Sequence, residues 1–155
     1  PDIANVAPNR PPTLISLALS SSKPNCAQLL INKGAKIRPQ DLWIAASLGE
    51  KEVVEALLGT GLRTNWRAWN GSSVLMSAVL GGDVGVCKLL LDNRADVLAS
   101  DENGHNAYTL ACERGEEQII ALLKPYAPEL PNCGGSILGM LSRVWGKFRK
   151  AVDKK

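Results

Sequence analysis

A chain of 155 residues, 45% hydrophobic and 21% charged, has the material for one core, or for one short array with an appendage, and is not disordered overall. Its apolar runs fall short of the roughly 20 residues that cross a bilayer, so no transmembrane helix is expected, and the polar, proline-rich start PDIANVAPNRPP offers no signal peptide. The net charge of +3 belongs to one end: residues 143–155 hold six basic groups against Asp153, leaving 12 basic and 14 acidic groups before them. So mildly acidic a body is poorly suited to a phosphate backbone, and no nucleic-acid partner is expected.

In chain order, residues 1–10 form an extension, and the next 120 match themselves. Gly49, Gly82 and Gly115 lie 33 residues apart, and the same offset superposes Ala45, Ala78 and Ala111, as well as Leu42, Leu75 and Tyr108. In each unit an apolar segment runs to a small-residue pair and glycine, and a second apolar segment follows: VVEALL, VCKLLL and IIALLK. Both sets recur at helical spacing, which predicts two short helices joined at the glycine. The first unit is offset. Gly34 stands 27 residues before Gly61, so six residues are missing from that connection; with the gap allowed, Ile15, Ala18, Leu29 and Leu30 fall in register and Ser22 replaces the interhelix glycine. Four units result, at 11–36, 37–67, 68–100 and 101–130, the outer two atypical as capping units are.

Prolines and glycines between 125 and 135 break the pattern. Residues 131–155 then form a linker and a basic amphipathic helix. Within SILGMLSRVWGKFRKAV, 136–152, the residues Ile137, Leu141, Val144, Trp145, Phe148 and Val152 share one stripe, and Arg143, Lys147, Arg149 and Lys150 cover much of the rest. Three roles suit it: a cap on the last unit, a helix for another protein's groove, or an anchor on an anionic membrane through Arg143, Trp145, Lys147, Phe148, Arg149 and Lys150. The cap is preferred, because the last unit's second helix otherwise exposes IIALL to water.

The four cysteines, Cys26, Cys87, Cys112 and Cys133, form no CxxC pair, and the single histidine, His105, lies seven residues from the nearest. No metal site is expected from that spacing. Cys26, Cys87 and Cys112 occupy apolar positions of the pattern, so they are read as reduced, buried hydrophobes. With no targeting or membrane segment, that suggests a cytoplasmic protein, with the nucleus as the alternative.

The repeat resembles the ankyrin family, whose unit runs from a turn glycine through Thr-Pro-Leu-His, a small-residue pair, Gly, Val-Val-x-Leu-Leu and Gly-Ala-Asp. Residues 71–97 carry Gly71, Leu75, Ala78, Gly82, Leu89, Leu90, Ala95, Asp96 and Val97; residues 104–127 carry Gly104, Ala111, Gly115 and IIALL; residues 41–61 carry Ala45, Ala46, Gly49, VVEALL and Gly61. The resemblance covers about 11–127 and implies an all-α solenoid of helix-turn-helix units with finger-like connecting turns. No unit keeps Thr-Pro-Leu-His. Its counterparts are TLIS, QDLW, SVLM and NAYT, so the family's proline start and its Thr–His hydrogen bonds are expected to be missing, with some loss of stability.

Ankyrin-type arrays bind partners through the fingers and the exposed part of each first helix, which together make a concave face. The resemblance therefore implies a non-catalytic module that binds another protein or peptide, with neither cofactor nor small-molecule substrate. Carried over by position, one finger is Trp66, Arg67, Ala68, Trp69 and Asn70, and the next is Ser100, Asp101, Glu102 and Asn103. The first-helix positions are Ser20, Ser21, Ser47, Leu48, Leu80, Gly81, Glu113 and Arg114, and His105 follows the turn glycine. Two tryptophans and an arginine in a turn that should be polar stand out, because Trp and Arg are enriched among interface hot spots. Trp66 either folds inward over the stack or joins the binding edge. No nucleophile stands beside His105, so catalysis is not expected. Trp43 and Met76, at the family's His position, are read as packing residues. The alternative function is a peripheral membrane adaptor anchored by the basic C-terminal helix.

Overall fold

The computed structural model describes residues 11–128. They form four helix pairs: α1 (Leu14–Ser20) with α2 (Pro24–Asn32), α3 (Pro39–Ser47) with α4 (Lys51–Gly59), α5 (Val74–Gly81) with α6 (Val84–Asp92), and α7 (Ala107–Arg114) with α8 (Glu117–Leu123), closed by a 3-10 turn at Lys124–Tyr126. The first helices α1, α3, α5 and α7 pack successively as one layer, and α2, α4, α6 and α8 as the other. Among the described residues the chain is an all-α stack of repeated pairs, and its core is the superposed register itself: Leu42, Leu75 and Tyr108, with Ala45, Ala78 and Ala111, are buried between the layers. None of the described helices is long and apolar enough to cross a membrane. The N-terminal extension 1–10 and the linker and helix of 131–155 lie outside the described residues.

The turns follow the sequence logic. Gly82 and Gly115 cap α5 and α7 in the left-handed conformation, and Ser22, which replaces the glycine in the first unit, adopts the same sign at φ 54. Such a φ strains a residue that has a Cβ. Gly81 has a different task. A Cβ there would lie 2.7 Å from the Ser47 carbonyl oxygen, so the bare glycine lets the end of α5 close onto the end of α3. Ser77 ties the same helices one turn earlier, its hydroxyl donating to the Trp43 carbonyl at 3.2 Å and to its own helix at Val74 at 2.7 Å.

The expected loss of helix-start hydrogen bonds is not observed, because other residue pairs supply them. In α7, Asn106 Oδ1 accepts from the Thr109 N–H at 2.9 Å while Thr109 Oγ1 accepts from the Asn106 N–H at 2.8 Å. In α5, Ser73 Oγ accepts from Met76 N–H at 3.2 Å and Met76 Sδ receives Ser73 N–H at 3.4 Å; in α1, Thr13 Oγ1 accepts from Ser16 N–H at 3.0 Å. The residue three places into the helix needs only an acceptor of suitable reach, and Thr109 and Met76 supply it where the family has His. Nor is α3 without a proline start. It begins two residues earlier than the alignment suggests, with Pro39 in its first turn and the Asp41 carboxylate accepting from the Arg38 N–H at 2.8 Å.

Asp41 also compensates for the short first connection. Fully buried, it accepts through Oδ1 from the Thr13 hydroxyl at the start of α1, and the Arg38 guanidinium donates to the Pro11 carbonyl at 2.8 Å. The atypical first unit is thus pinned to the second by polar contacts where the chain is six residues short. Burial raises the Asp41 carboxyl above its ordinary value of 3.8, against the lowering effect of Thr13 and Arg38.

The cysteines depart from expectation. Only Cys87 is a buried free thiol, pushed up to about 12 by burial and by the neighbouring Asp83. Cys26 is exposed on α2, over which no earlier helix pair lies among the described residues. Cys112 is disulfide-bonded, so the reading of uniformly reduced cysteines does not hold.

Two predictions follow from the packing. Gly81→Ala should lower stability by about 1–3 kcal/mol, since overpacking against backbone outweighs the gain in helix propensity. Gly59→Ala in α4, where the new methyl meets nothing within 4 Å, should leave stability unchanged or raise it. Urea melts that shift both variants in the same direction would contradict this account. For Asp41, a raised folded pKa means the folded state holds the proton more tightly, so stability falls as pH rises from 3.8 through the raised value. The stability of wild type relative to Asp41→Asn should decline across that window and then level off; a pH-independent difference refutes the assignment.

Candidate functional site

Two described connections form true fingers, and they are copies of one another. In the first, the Ala68 N–H donates to Ser72 O at 2.8 Å, the Gly71 N–H donates to Ala68 O at 2.9 Å, and an isolated antiparallel bridge joins Arg67 to Ser73. Thirty-three residues later, the Asp101 N–H donates to His105 O at 2.9 Å and the Gly104 N–H to Asp101 O at 3.0 Å. The two are fastened side by side. Glu102 N–H reaches Asn70 O at 3.2 Å, and the Arg67 guanidinium donates to Ser100 O at 2.7 Å. Gly71, at φ 76, lets them close: a Cβ there would sit 3.2 Å from Asp101 Cα. At their base Thr64 donates to Asn93 O at 3.0 Å and Asn65 Oδ1 accepts from the Asp96 N–H at 3.1 Å. A cavity of about 30 Å³ between Thr64, Arg67, Ser73, Leu75 and Ala99 has room for roughly one water.

The tryptophans divide. Trp66 is half-buried against the core with its indole Nε1 shielded and without a hydrogen-bond partner among the described residues, whereas Trp69 projects from the finger tip 76% exposed. Arg67 is exposed but committed to Ser100, and Asn70 is committed to its own turn, Oδ1 accepting from the Ser72 N–H at 3.1 Å. In the second finger Asp101 is also structural. Its Oδ1 accepts from the Asn103 and His105 N–H groups, both at 2.9 Å. Although desolvation opposes ionisation there, those bonds and the His105 ring beside it hold the Asp101 carboxyl below its ordinary value. Glu102 and Asn103 are exposed at the tip.

The finger continues into α7. His105 Nδ1 lies 3.4 Å from Asp101 Oδ2 and its Nε2 3.7 Å from Glu113 Oε1, so the ring bridges finger and first helix. Arg114, exposed, lies 3.9 Å from Glu116. On the other first helices Leu48 and Leu80 are 51% and 44% exposed, Ser20 and Ser21 are exposed, Ser47 is half-buried, and Gly81 is occupied in packing against α3. One apolar position was not anticipated. Leu17 on α1, 48% exposed, shares its register with the half-buried Ile44 and Leu110, one turn before the first-helix positions carried over from the family. Leu17, Leu48 and Leu80 stand at register positions related by three and four residues, which is one helix face. In each of the first three units that face carries one exposed leucine beside serines or a glycine, and it becomes charged at Glu113 and Arg114 in the fourth. Among the described residues no group of three His, Cys, Asp or Glu is arranged to hold a metal ion. Arg143, Trp145, Lys147, Phe148, Arg149 and Lys150 lie outside the described residues.

A family model for ankyrin repeats, in three copies, matches residues 42–132. Among similar proteins, the probable E3 ubiquitin-protein ligase XBOS32 of Oryza sativa subsp. japonica is 34% identical over 107 residues, 68% of this chain and 22% of its own length. The E3 ubiquitin-protein ligase XBAT32 of Arabidopsis thaliana is 34% identical over 112 residues, 71% of this chain and 22% of its own. The SH3 and multiple ankyrin repeat domains protein 1 of Homo sapiens is 41% identical over 66 residues, 42% of this chain and 3% of its own. The chain thus spans no more than 22% of the length of any of these three relatives. Paired helices in two layers, fingers repeated at the same 33-residue offset and a match over more than half of the sequence lead to one conclusion: the chain belongs to the ankyrin-repeat family.

Proposed function

We propose that this chain is a non-catalytic protein-interaction module, and that its partner lies against the face made by α1, α3 and α5 and the tip of the finger that precedes α5. The observation that carries the reading is Trp69. A tryptophan 76% exposed, on a finger fastened to its neighbour by Arg67 and Gly71, presents a large apolar surface on a preorganised support. Leu17, Leu48 and Leu80 extend that surface along the first helices, and Glu102, Glu113 and Arg114 supply a charged end. The partner class that fits is a peptide or protein segment with apolar anchors and a polar or cationic terminus. Asp101 and Asn70, held in their turns, support the fingers without contributing free groups. The ligase activity named for two relatives belongs to those longer proteins, of whose length this chain spans 22%. The membrane alternative rests entirely on residues 136–155.

A random peptide library displayed on phage and panned against the full chain tests the reading. Selected peptides should bind Trp69→Ala and the double variant Leu48→Asp/Leu80→Asp at least about tenfold more weakly than wild type, as expected for loss of a hot-spot side chain. Equal affinity for all three proteins sinks the proposed face. Fold controls accompany it. Trp69→Ala should stay within about 0.5 kcal/mol of wild type, as exposed substitutions do, whereas Trp66→Ala should lose roughly 1–3 kcal/mol of packing. If Trp69→Ala melts as early as Trp66→Ala, the residue belongs to the core.

A further inference from the structure

The two fingers carry the chain's two Asn-Gly pairs at the same register, Asn70-Gly71 and Asn103-Gly104. Both glycines are left-handed, at φ 76 and φ 80, and both donate the same turn bond, to Ala68 O and to Asp101 O. Asn-Gly is also the dipeptide most open to attack on itself, because a glycine without a Cβ lets its backbone nitrogen reach the asparagine side-chain carbon. The surroundings of the two pairs differ. Asn70 Oδ1 accepts from the Ser72 N–H at 3.1 Å, the Asn70 carbonyl accepts from the Glu102 N–H at 3.2 Å, and Gly71 is pressed against Asp101. In the second finger the donor equivalent to Ser72 is the His105 N–H, and it goes elsewhere, to Asp101 Oδ1 at 2.9 Å. One difference between the copies is the cause. Asp101 stands where the first finger has Ala68, and its carboxylate takes the turn N–H groups of both Asn103 and His105. Among the described residues nothing holds the Asn103 side chain. Asn103 and Gly104 are exposed where Asn70 and Gly71 are half-buried, and a Cβ on Gly104 would meet nothing within 4 Å.

We propose that Asn103 is a site of spontaneous deamidation through a cyclic imide with Gly104, that its copy Asn70 is protected by the bonds that hold it, and that conversion opens the second finger. The Gly104 backbone nitrogen gives up its proton to solvent and attacks Asn103 Cγ. As the new N–Cγ bond closes the imide ring, the bond from Cγ to the side-chain nitrogen breaks, and that nitrogen takes a proton from solvent and leaves as ammonia. Water then opens the ring. Cleavage at Cγ leaves an ordinary aspartate, whereas cleavage at the main-chain carbonyl carbon leaves isoaspartate, whose chain runs through Cβ and Cγ. In sum one water is consumed and one ammonia released, with no electron transferred. Either product places a new carboxylate beside Asp101 and Glu102. Isoaspartate also lengthens the turn that the Gly104 N–H closes onto Asp101 O and the Asp101 N–H closes onto His105 O. Those bonds shape the hairpin, and Glu102, which fastens it to the first finger, lies within the same turn. The second finger thus gains charge and loses closure with age, while the first keeps both as they are.

The test ages the full folded chain in mildly alkaline buffer made with heavy-oxygen water, whose label separates conversion during ageing from conversion during digestion. Peptides are followed by mass spectrometry, with electron-transfer fragmentation to tell isoaspartate from aspartate. Asn103 should convert at least about tenfold faster than Asn70, the difference expected from the two hydrogen bonds that hold Asn70. In urea that unfolds the chain the two rates should become comparable. In the aged protein, backbone hydrogen exchange at Asp101, Gly104 and His105 should be severalfold faster, while Ala68 and Gly71 keep their protection. Asn103→Gln, which cannot close the same ring, should show neither change on ageing. Equal rates at Asn70 and Asn103 in the folded chain, or an Asn103 that stays an amide while the unfolded chain converts, would overturn the site. Conversion without isoaspartate would overturn the imide route, and unchanged exchange in converted protein would overturn the opening of the finger. No binding partner enters these readouts, so they stand or fall apart from the proposed interaction face.

Discussion

A helix pair of this kind cannot bury its own apolar faces, and the whole architecture is a response to that constraint. Leu75 and Ala78 are buried because α3 and α7 stand on either side of α5, and Val86 and Leu90 because α6 lies between its own neighbours. The 33-residue offset is the sequence expression of this dependence: a position that packs well once must do so again in each copy. The same constraint explains where the chain departs from its pattern. Among the described residues the first unit has a neighbour on one side alone, and there Cys26 is exposed, the connection is shortened, and polar contacts through Thr13 and Asp41 take over part of the joining.

What could be read in advance was whatever repeats. The helix pairs, their glycine-capped turns, the two-layer core and the family itself were legible because they rest on register, and register survives substitution. Local hydrogen bonding was less legible. Replacement of Thr-Pro-Leu-His pointed to missing helix starts, yet Asn106 with Thr109 and Ser73 with Met76 rebuild the same bonds from different atoms, since the backbone asks for an acceptor at a certain reach and not for a particular residue. The Asp41–Thr13 contact was invisible for a different reason: it joins residues 28 apart across a connection of unusual length, and no spacing rule announces it.

The candidate site was legible as a region and only partly as a list. Trp66 and Trp69 are three residues apart in one turn, but the finger's hairpin geometry sends the first toward the core and the second into solvent. Asn70 and Asp101 looked like free polar groups and are turn-formers, their oxygens already occupied by backbone N–H groups. Leu17 escaped notice because its register, shared with the half-buried Ile44 and Leu110, was not among the first-helix positions carried over. In each case chemistry was correctly located and its availability was not, since availability depends on what the neighbouring copy places alongside.

The six residues missing from the first connection have a consequence for shape. The other two connections raise paired hairpins along one edge of the first-helix layer, whereas α3 is entered directly through Arg38 and Pro39. The wall along that edge is therefore high beside the third and fourth units and low beside the first two. Among the described residues such a surface is a trough walled along one side at one end and low at the other, so the first-helix layer is reached from that edge over α1 and α3 and only across the hairpins over α5 and α7.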